Sequence, residues 1–278
     1  MKLSVIVVTH NQCKLLRQCL TSLIKAAKGI EYEVFVVDDA STDVTMHMVK
    51  NQFPTVKVLT NEHRIGTTAS QNQALRLCRS EYVLLVGADT ICNSDSLNKL
   101  LSFMDVHEQA GGVSPRMVDA EGEFITESKY GINKEWAAFL KVTGLCKLFP
   151  RSKAFNRLRY DWVVEFENSE ITALNEACML IRWSVLNKVG LLDERFVMFG
   201  QNVDLSQRIY KEGYKNYYYA HTYLINNQQR KLAKFSWQYL KFFYGAMLIF
   251  ALKNMFKLPV VQLKPMGGLI PTSYEVER

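Results

Sequence analysis

One apolar stretch, residues 82–90, constrains the fold of this chain more than any other feature. It reads Tyr-Val-Leu-Leu-Val-Gly-Ala-Asp-Thr and ends at a lone carboxylate, Asp89. A run of this length, rich in branched residues and closed by small ones, is typical of a strand buried on both faces in the middle of a parallel sheet. Ligands of open α/β sheets bind at the carboxyl ends of the strands, so Asp89 is a candidate functional residue. Alternatively, the Asp89 side chain caps the turn that follows the strand.

Strand and helix patterns alternate from the start of the chain to this stretch. Strands are predicted at residues 4–9, 33–37 and 57–60, and helices at 14–28, from about 44 to 51, and at 67–78. This alternation predicts an α/β fold with a parallel, doubly wound sheet. No GxGxxG sequence follows the first strand, which argues against a dinucleotide-binding domain.

The second half of the chain is less regular. The patterns predict helices at residues 94–107, 183–189 and 204–212, and strands at 113–118 and 177–182. Residues 119–170 are weakly periodic and rich in Lys, Arg, Phe and Trp, which favours an insertion that wraps over a site. A chain of 278 residues with 48% hydrophobic content can bury a full core. We therefore expect one large α/β domain, or one domain with an appendage.

The net charge of +7 is concentrated near the carboxyl end of the chain. Residues 211–264 contain nine basic residues and one acid, which gives 9 − 1 = +8 and leaves 7 − 8 = −1 for all other residues. An anionic membrane surface, a phosphate group or a nucleic acid would suit this charge. Nucleic acid is the weakest of the three, since no nucleic-acid-binding motif accompanies the charge.

Within the basic segment, residues 242–252 form an uncharged run of eleven residues. The run is well short of the roughly 20 residues that span a bilayer. We expect a helix on the membrane surface with the flanking lysines in the headgroups, and a helix packed on the domain is the alternative. The start of the chain lacks a signal-peptide pattern, and the six scattered cysteines show no metal-binding spacing. These features predict a cytoplasmic protein with reduced cysteines that is peripheral at the inner face of the cell membrane.

Several short motifs then follow in a characteristic order. They are VIVVTHN at 5–11, VVDDASTD at 36–43, GADT at 87–90, ACMLIR at 177–182, LDERF at 192–196, VDL at 203–205 and GY at 213–214. Together they resemble glycosyltransferase family 2, and within it the rhamnosyltransferase-like branch of bacterial polysaccharide biosynthesis. The resemblance covers residues 3–225. It implies a GT-A domain at 1–228, with a nucleotide-binding half at 1–110 and an acceptor half at 111–228, followed by a helical tail at 229–278.

The resemblance also implies a reaction. Members move a sugar from a nucleotide diphosphate to an acceptor hydroxyl with inversion, here from a UDP- or dTDP-linked donor to a lipid-linked saccharide. The implied donor-binding residues are Thr9, Asn11, Asp39, Arg64, Gly66 and Asn72. Asp39 suits this role because a carboxylate accepts the N3–H of uracil or thymine. The alternative for Asp39 is a cap for the turn at residues 41–43, a role that fits Asp38 or Asp43 better.

A divalent cation is a further implication of the resemblance. Members hold Mg²⁺ or Mn²⁺ on a D-x-D type motif, which here reads Gly87-Ala88-Asp89. Only Asp89 remains as a metal ligand, so the expected site is weakened. Mg²⁺ is often bound by one carboxylate together with phosphate oxygens and water.

The expected catalytic base is missing from its usual place. The family has a Glu-Asp pair where this chain has Gln201 and Asn202, and amides cannot accept a proton near neutral pH. Asn202, the degenerate base position, also suits a helix N-cap. A histidine that the family has near the end of the last strand is also absent: residues 223–227 read Tyr-Leu-Ile-Asn-Asn, and His221 lies a short way upstream.

Two hypotheses follow from the missing base. Glu176, Asp193 or Glu194 serves as a relocated base, or the chain is a catalytically inactive homologue that binds a nucleotide sugar or acts as a scaffold.

Overall fold

The computed structural model describes residues 1–130, 134–148, 165–227 and 237–255. Within them the chain forms one nine-stranded sheet flanked by helices. The strands are β1 Leu3–Thr9, β2 Tyr32–Asp38, β3 Lys57–Thr60, β4 Tyr82–Gly87, β5 Thr90–Cys92, β6 Ala110–Val118, β7 Ser169–Glu170, β8 Cys178–Arg182 and β9 Lys215–Asn226. Their order is β3-β2-β1-β4-β8-β6-β9-β5, and β7 pairs with β9.

Nine helices and one 3₁₀ turn are found in the described residues. The helices are α1 Cys13–Ala26, α2 Thr45–Gln52, α3 Thr67–Leu75, α4 Ser96–Val106, α5 Glu127–Tyr130, α6 Lys134–Val142, α7 Trp183–Val189, α8 Gln201–Lys211 and α9 Trp237–Met255, with the 3₁₀ turn at Leu145–Leu148. The predicted stop of α1 at Gly29 is close to the observed one, and Gly29 has a positive φ of 83° that few other residues adopt.

Most strands of the sheet are parallel. β1 pairs in parallel with β2 and β4, β2 with β3, and β6 with β9. β8 runs antiparallel between β4 and β6, which aligns β4 and β6 in the same direction. The carboxyl ends of β1, β2, β4, β6 and β9 therefore share one edge of the sheet, here called the rim. The predicted α/β fold with a mostly parallel sheet is confirmed.

Apolar side chains cover both faces of the sheet. Helices α1, α2 and α4 pack on one face through residues such as Leu20, Val49 and Leu100, all buried. Helices α3, α7 and α8 pack on the other face, where Leu75 and Leu205 are buried. Full burial of such a side chain contributes about 1.5–3 kcal/mol. These two layers fix the strand ends that form the rim.

Two element boundaries near the rim differ from the sequence predictions. The chain turns after β4 at Gly87 and forms β5, a strand of three residues that is too short to show periodicity. Helix α8 starts at Gln201, three residues earlier than predicted, because Gly200 with φ of 87° lets the chain enter the helix there. The interpretation of Asn202 as an N-cap is therefore wrong, since it lies in the first turn of the helix.

Helix α9 packs on the rest of the α/β domain through one face. Phe243 and Phe250 are buried against Trp136 of α6, with ring centroids 6.5 and 5.7 Å apart in edge-on geometry. The sequence left open whether the tail helix packs on the domain, and one face of α9 does so. No helix in the described ranges combines the length and apolarity that crossing a membrane requires.

The remaining boundary predictions concern the domain halves, the tail and the insertion. One sheet passes through both predicted halves, and the division at residue 110 stays a prediction. The predicted tail at 229–278 is described only between 237 and 255, and residues 131–133 and 149–164 of the predicted insertion lie outside the described residues.

Candidate active site

The rim brings the predicted donor-binding strands together. Thr9, the last residue of β1, lies in register with Asp38 of β2, and Val8 lies in register with Gly87 of β4. The backbone N–H of Asp39 donates to the Thr9 carbonyl over 2.8 Å. The Thr9 hydroxyl is buried and has no hydrogen-bond partner within the described part of the chain. A buried hydroxyl without a partner is costly, and at a strand end it suits a ligand contact.

The Asp39 carboxylate holds the loop that follows β3, residues 61–66, here called the rim loop. It accepts the backbone N–H groups of Ile65 at 2.9 Å and Gly66 at 3.1 Å. The Asn61 amide and the Ser70 hydroxyl donate to the same carboxylate. Three of these bonds fall on Oδ1 and one on Oδ2, so Oδ2 keeps capacity to accept another hydrogen bond. In this conformation Asp39 shapes the rim loop, and Oδ2 is the atom open to a further donor.

The remaining predicted donor residues lie around the same loop. Asn11 has a positive φ of 53°, and its side-chain oxygen accepts the backbone N–H groups of Thr42 at 2.8 Å and Asp43 at 3.2 Å. Arg64 is largely exposed, with its Nε 3.9 Å from Asp39. Gly66 has φ of 91°, which permits the sharp entry into α3. The exposed Arg64 guanidinium fits a pocket for an anionic ligand.

Asn72 has a different environment from the other predicted donor residues. Its side-chain amide donates to the Leu192 carbonyl at 2.8 Å, and its oxygen accepts the Leu192 N–H at 3.1 Å. Glu194 accepts hydrogen bonds from Asn72 at 2.9 Å and from Arg76 at 3.0 Å. Asn72 and Glu194 therefore connect α3 to the segment before α8.

Asp89 occupies the turn between β4 and β5. A Cβ atom at Gly87 would lie 2.6 Å from Asp89 Oδ1, so the absence of a side chain at 87 makes room for the Asp89 carboxylate. The backbone N–H of Asn227, just beyond β9, donates to the Asp89 carbonyl at 2.8 Å. Burial raises the pKa of Asp89. The asparagines near the end of the last strand, where the family histidine is absent, are thus next to Asp89.

Glu176 lies beside this turn. The Ala177 carbonyl accepts the Gly87 N–H at 3.0 Å, so Glu176, one residue earlier, runs alongside the turn that carries Asp89. The Glu176 side chain is exposed to solvent. Desolvation by the surrounding chain, followed by the negative charge of Asp89, raises the pKa of Glu176 to about 7. No hydrogen bond or ion pair engages this carboxylate within the described residues.

The amides at the family's base position are buried in α8. The Asn202 amide donates to the Leu174 carbonyl at 2.8 Å, and both Gln201 and Asn202 are only 5% exposed. The Gln201 side-chain oxygen is buried without a partner in the described ranges. Asn202 therefore links α8 to the chain before β8, where an acid would face a carbonyl oxygen.

Two other acids of this region are neutralised by the tail helix. Lys253 of α9 donates to Asp193 at 2.9 Å and to Asp204 at 2.5 Å, and all three are buried. Arg195 also pairs with Asp193, and Arg208 with Asp204. Burial acts to raise the pKa of Asp193, but hydrogen bonds from Arg195 and Lys253 outweigh it and hold this pKa well below its usual range. Such a carboxylate is a poor proton acceptor.

The residues around Asp89 fit a divalent cation only in part. The carboxylates of Asp89 and Glu176 are oxygen donors, as is the buried side-chain oxygen of Asn226, which has no partner among described residues. Mg²⁺ and Mn²⁺ prefer such ligands. No group of three or more His, Cys, Asp or Glu residues that could hold a metal occurs within the described ranges. A cation here would need phosphate oxygens to complete its coordination.

The amino-acid sequence was also compared with known families. The model of glycosyl transferase family 2 matches residues 4–164, more than half of the chain. The chain belongs to this family. The N-acetylglucosaminyl-diphospho-decaprenol L-rhamnosyltransferase of Mycobacterium tuberculosis is 24% identical over 227 residues, which cover 78% of this chain and 73% of that protein. The poly(ribitol-phosphate) beta-N-acetylglucosaminyltransferase TarS of Staphylococcus aureus is 35% identical over 111 residues, 38% of this chain and 19% of TarS.

Solved structures show the same fold. TarS 1–349 in complex with UDP-GlcNAc has a TM-score of 0.64 at 20% identity, covering 91% of this chain and 67% of TarS 1–349. The mannosyltransferase PcManGT of Pyrobaculum calidifontis, in complex with GDP-Man and Mn²⁺, has a TM-score of 0.59 at 18% identity, covering 93% of this chain and 65% of PcManGT. The predicted family 2 membership and GT-A fold are confirmed.

Sequence reasoning missed one part of the site. The link from Lys253 to Asp193 and Asp204 joins residues 60 and 49 positions apart. No local pattern signals such a contact. The only sequence hint is a lysine within a helix that is otherwise apolar on that face.

Proposed function

We propose that this protein is an inverting glycosyltransferase that uses a nucleotide diphosphate sugar, UDP- or dTDP-linked, and a lipid-linked saccharide acceptor in cell-surface polysaccharide assembly. The observation that carries the proposal is the convergence of Thr9, the Asp39-held rim loop, Asp89 and Glu176 at one rim of the sheet. Structural neighbours bind UDP-GlcNAc and GDP-Man, and the mycobacterial relative is named for a diphospho-decaprenol acceptor. An acceptor of that kind would place the protein in the cytoplasm, peripheral at the inner face of the membrane.

In this proposal the donor diphosphate lies between the rim loop and Asp89. Thr9, Asn11 and Arg64 bind the nucleotide, and Asp39 and Gly66 position the loop over it. Asp89 would hold Mg²⁺ or Mn²⁺, which when bound neutralises the charge that builds on the leaving nucleoside diphosphate.

Glu176 is the proposed general base. Among the three relocated candidates, Asp193 is held by Arg195 and Lys253, and Glu194 by Asn72 and Arg76. Glu176 keeps its carboxylate available beside Asp89, and a pKa near 7 suits a base that works at neutral pH. It would accept the proton of the acceptor hydroxyl as that oxygen attacks the anomeric carbon on the face opposite the leaving group.

Calorimetry with a panel of UDP-, dTDP- and GDP-sugars, with and without Mn²⁺, tests the donor proposal. We expect binding of one nucleotide class, strengthened by Mn²⁺, and loss of the Mn²⁺ effect in Asp89→Asn. Absence of nucleotide binding across the panel would refute a transferase function. An unchanged Mn²⁺ effect in Asp89→Asn would remove Asp89 from the site.

The base is tested by Glu176→Gln, with Glu108→Gln as the matched control. Glu108 is an exposed acid just before β6, at the edge of the sheet opposite the rim. Loss of a general base slows transfer by roughly 10²–10⁴-fold. We expect this loss in Glu176→Gln at unchanged nucleotide affinity, and wild-type transfer in Glu108→Gln. Wild-type transfer by Glu176→Gln would exclude it as the base.

A catalytically inactive homologue is the second candidate, and the buried amides of Gln201 and Asn202 favour it. Nucleotide-sugar binding without donor hydrolysis or transfer to any lipid-linked saccharide would support this function over the first. The protein would then act as a nucleotide-sugar-binding scaffold.

A further inference from the structure

Helix α9 has a second apolar face that the domain does not cover. Five large apolar side chains are exposed on it, among them Trp237 at 80%, Leu248 at 58% and Met255 at 59%. The exposed stripe consists of Trp237, Lys241, Tyr244, Leu248, Leu252 and Met255. The intervals between them are four, three, four, four and three residues, which places them on one side of an α-helix. We call this stripe the α9 ridge.

The ridge differs from the other exposed apolar side chains. Val44, Leu77 and Val106 are exposed singly in or beside three different helices, and scattered residues of this kind need no partner. A continuous ridge of aromatic and aliphatic groups usually marks an interaction surface. The opposite face of α9 is fixed to the domain by the Phe243 and Phe250 contacts and by the buried Lys253. The ridge is therefore a surface with a defined orientation.

The charge of this region indicates what covers the ridge. Helix α9 contains no acid, and Lys241 is the charged member of the ridge. The wider segment, residues 211–264, has nine basic residues and one acid, and two of the nine, Lys215 and Lys253, pair with acids of the domain. Trp and Tyr are enriched where a membrane meets water, and Lys near such residues attracts anionic headgroups. An apolar stripe of one helix face enters the interface without crossing the bilayer.

We propose that the α9 ridge binds an anionic membrane surface, with α9 parallel to the bilayer and its opposite face held on the domain. The side chains that enter the lipid are therefore those of the ridge. Phe243 and Phe250 belong to the same apolar run in the sequence, but they face the domain and do not enter the lipid. Membrane binding through the ridge would bring a lipid-linked acceptor to the rim, and this consequence rests on the proposed function. Its test needs no substrate.

Co-sedimentation of the full chain with phosphatidylglycerol–phosphatidylcholine vesicles, and with pure phosphatidylcholine vesicles, tests the proposal. We expect binding to the anionic vesicles that weakens as salt is added. The double variant Leu248→Glu/Leu252→Glu should lower vesicle affinity by about tenfold or more, because two apolar side chains leave the lipid and two acids approach its negative charge. Val106→Glu, 78% exposed on α4 at the other face of the sheet, should bind like the wild type.

Three results would overturn the proposal. They are no binding of the wild type to anionic vesicles at low salt, equal binding of the double variant, and equal binding of the wild type to neutral vesicles. A concentration-dependent dimer that the double variant abolishes, in the absence of vesicle binding, would assign the ridge to a second copy of the chain. Calorimetry on the same variants separates the two proposals, since the exposed ridge residues should leave nucleotide affinity unchanged. Vesicle binding without nucleotide binding would refute only the transferase.

Discussion

Lys253 provides the sharpest test of how the tail helix is attached. Its ammonium donates to Asp193 at 2.9 Å and to Asp204 at 2.5 Å in a buried environment. The substitution Lys253→Met keeps most of the side-chain volume and removes the charge. Two charge-assisted hydrogen bonds are worth about 1.5–3 kcal/mol each. Arg195 and Arg208 remain with the two acids, and the cost of burying the ammonium disappears. We therefore expect a net loss of about 2–3 kcal/mol in the free energy of unfolding.

Urea unfolding followed by circular dichroism measures this loss as a lower midpoint at an unchanged slope. Lys241→Met is the matched control, because Lys241 lies on the exposed side of the same helix, and a change within about 0.5 kcal/mol is expected there. A loss below about 1 kcal/mol in Lys253→Met, similar to the control, would show that the arginines alone satisfy both acids.

The same variant has a pH signature. The pKa of Asp193 is lower in the folded chain than in the unfolded chain. Such a group stabilises the fold fully at pH values above its pKa in the unfolded chain, which is about 3.9. This stabilisation is lost as the pH falls toward the pKa of the group in the folded chain. The stability difference between wild type and Lys253→Met should therefore be constant near neutral pH and shrink below about pH 4. A difference that grows on acidification would contradict the assignment of the ion pair.

Three further substitutions test the site. Asn202→Asp should destabilise the fold by about 1–3 kcal/mol and give no gain in transfer, because the new carboxylate faces the Leu174 carbonyl, and a rate increase in a transfer assay would refute this. Gly87→Ala should weaken Mn²⁺-dependent nucleotide binding in calorimetry, since its Cβ displaces the Asp89 carboxylate, and unchanged binding would contradict the geometry. Asp39→Asn should lower the melting temperature without nucleotide, because two backbone N–H groups of the rim loop lose a charged acceptor. Weaker nucleotide binding at an unchanged melting temperature would instead make Asp39 a ligand only.

The sequence predicted the central strands well because their signal is strong and local. The apolar run at β4 and the alternation around β1 to β3 needed no tertiary information, and β3 was predicted at its observed bounds. The three-residue β5 was missed, since its pairing with β9 depends on residues far along the chain. The start of α8 was also misplaced, because Gly200 adopts its positive φ beneath Trp136, and that contact is not visible in local periodicity.

The site residues were harder to predict than the fold, because sequence motifs name positions but not partners. Asp39 was assigned to the nucleotide, and its hydrogen bonds from three rim-loop residues and from Ser70 of α3 could not be foreseen. Glu176, Asp193 and Glu194 were equivalent candidates in the sequence. Only the structure separates them, by showing that Asp193 and Glu194 are engaged by cations.

This separation also gives a physical account of the missing base. Lys253 of α9 donates a hydrogen bond to Asp204, which lies two residues after Asn202 in α8. The start of α8 is therefore attached to the tail helix. An acid at position 202 would be a buried carboxylate facing the Leu174 carbonyl oxygen, at a desolvation cost. Glu176 lies two residues before β8, beside the turn that carries Asp89, and its side chain is exposed. If Glu176→Gln abolishes transfer while Asn202→Asp restores nothing, the base has moved from the start of α8 to the segment just before β8.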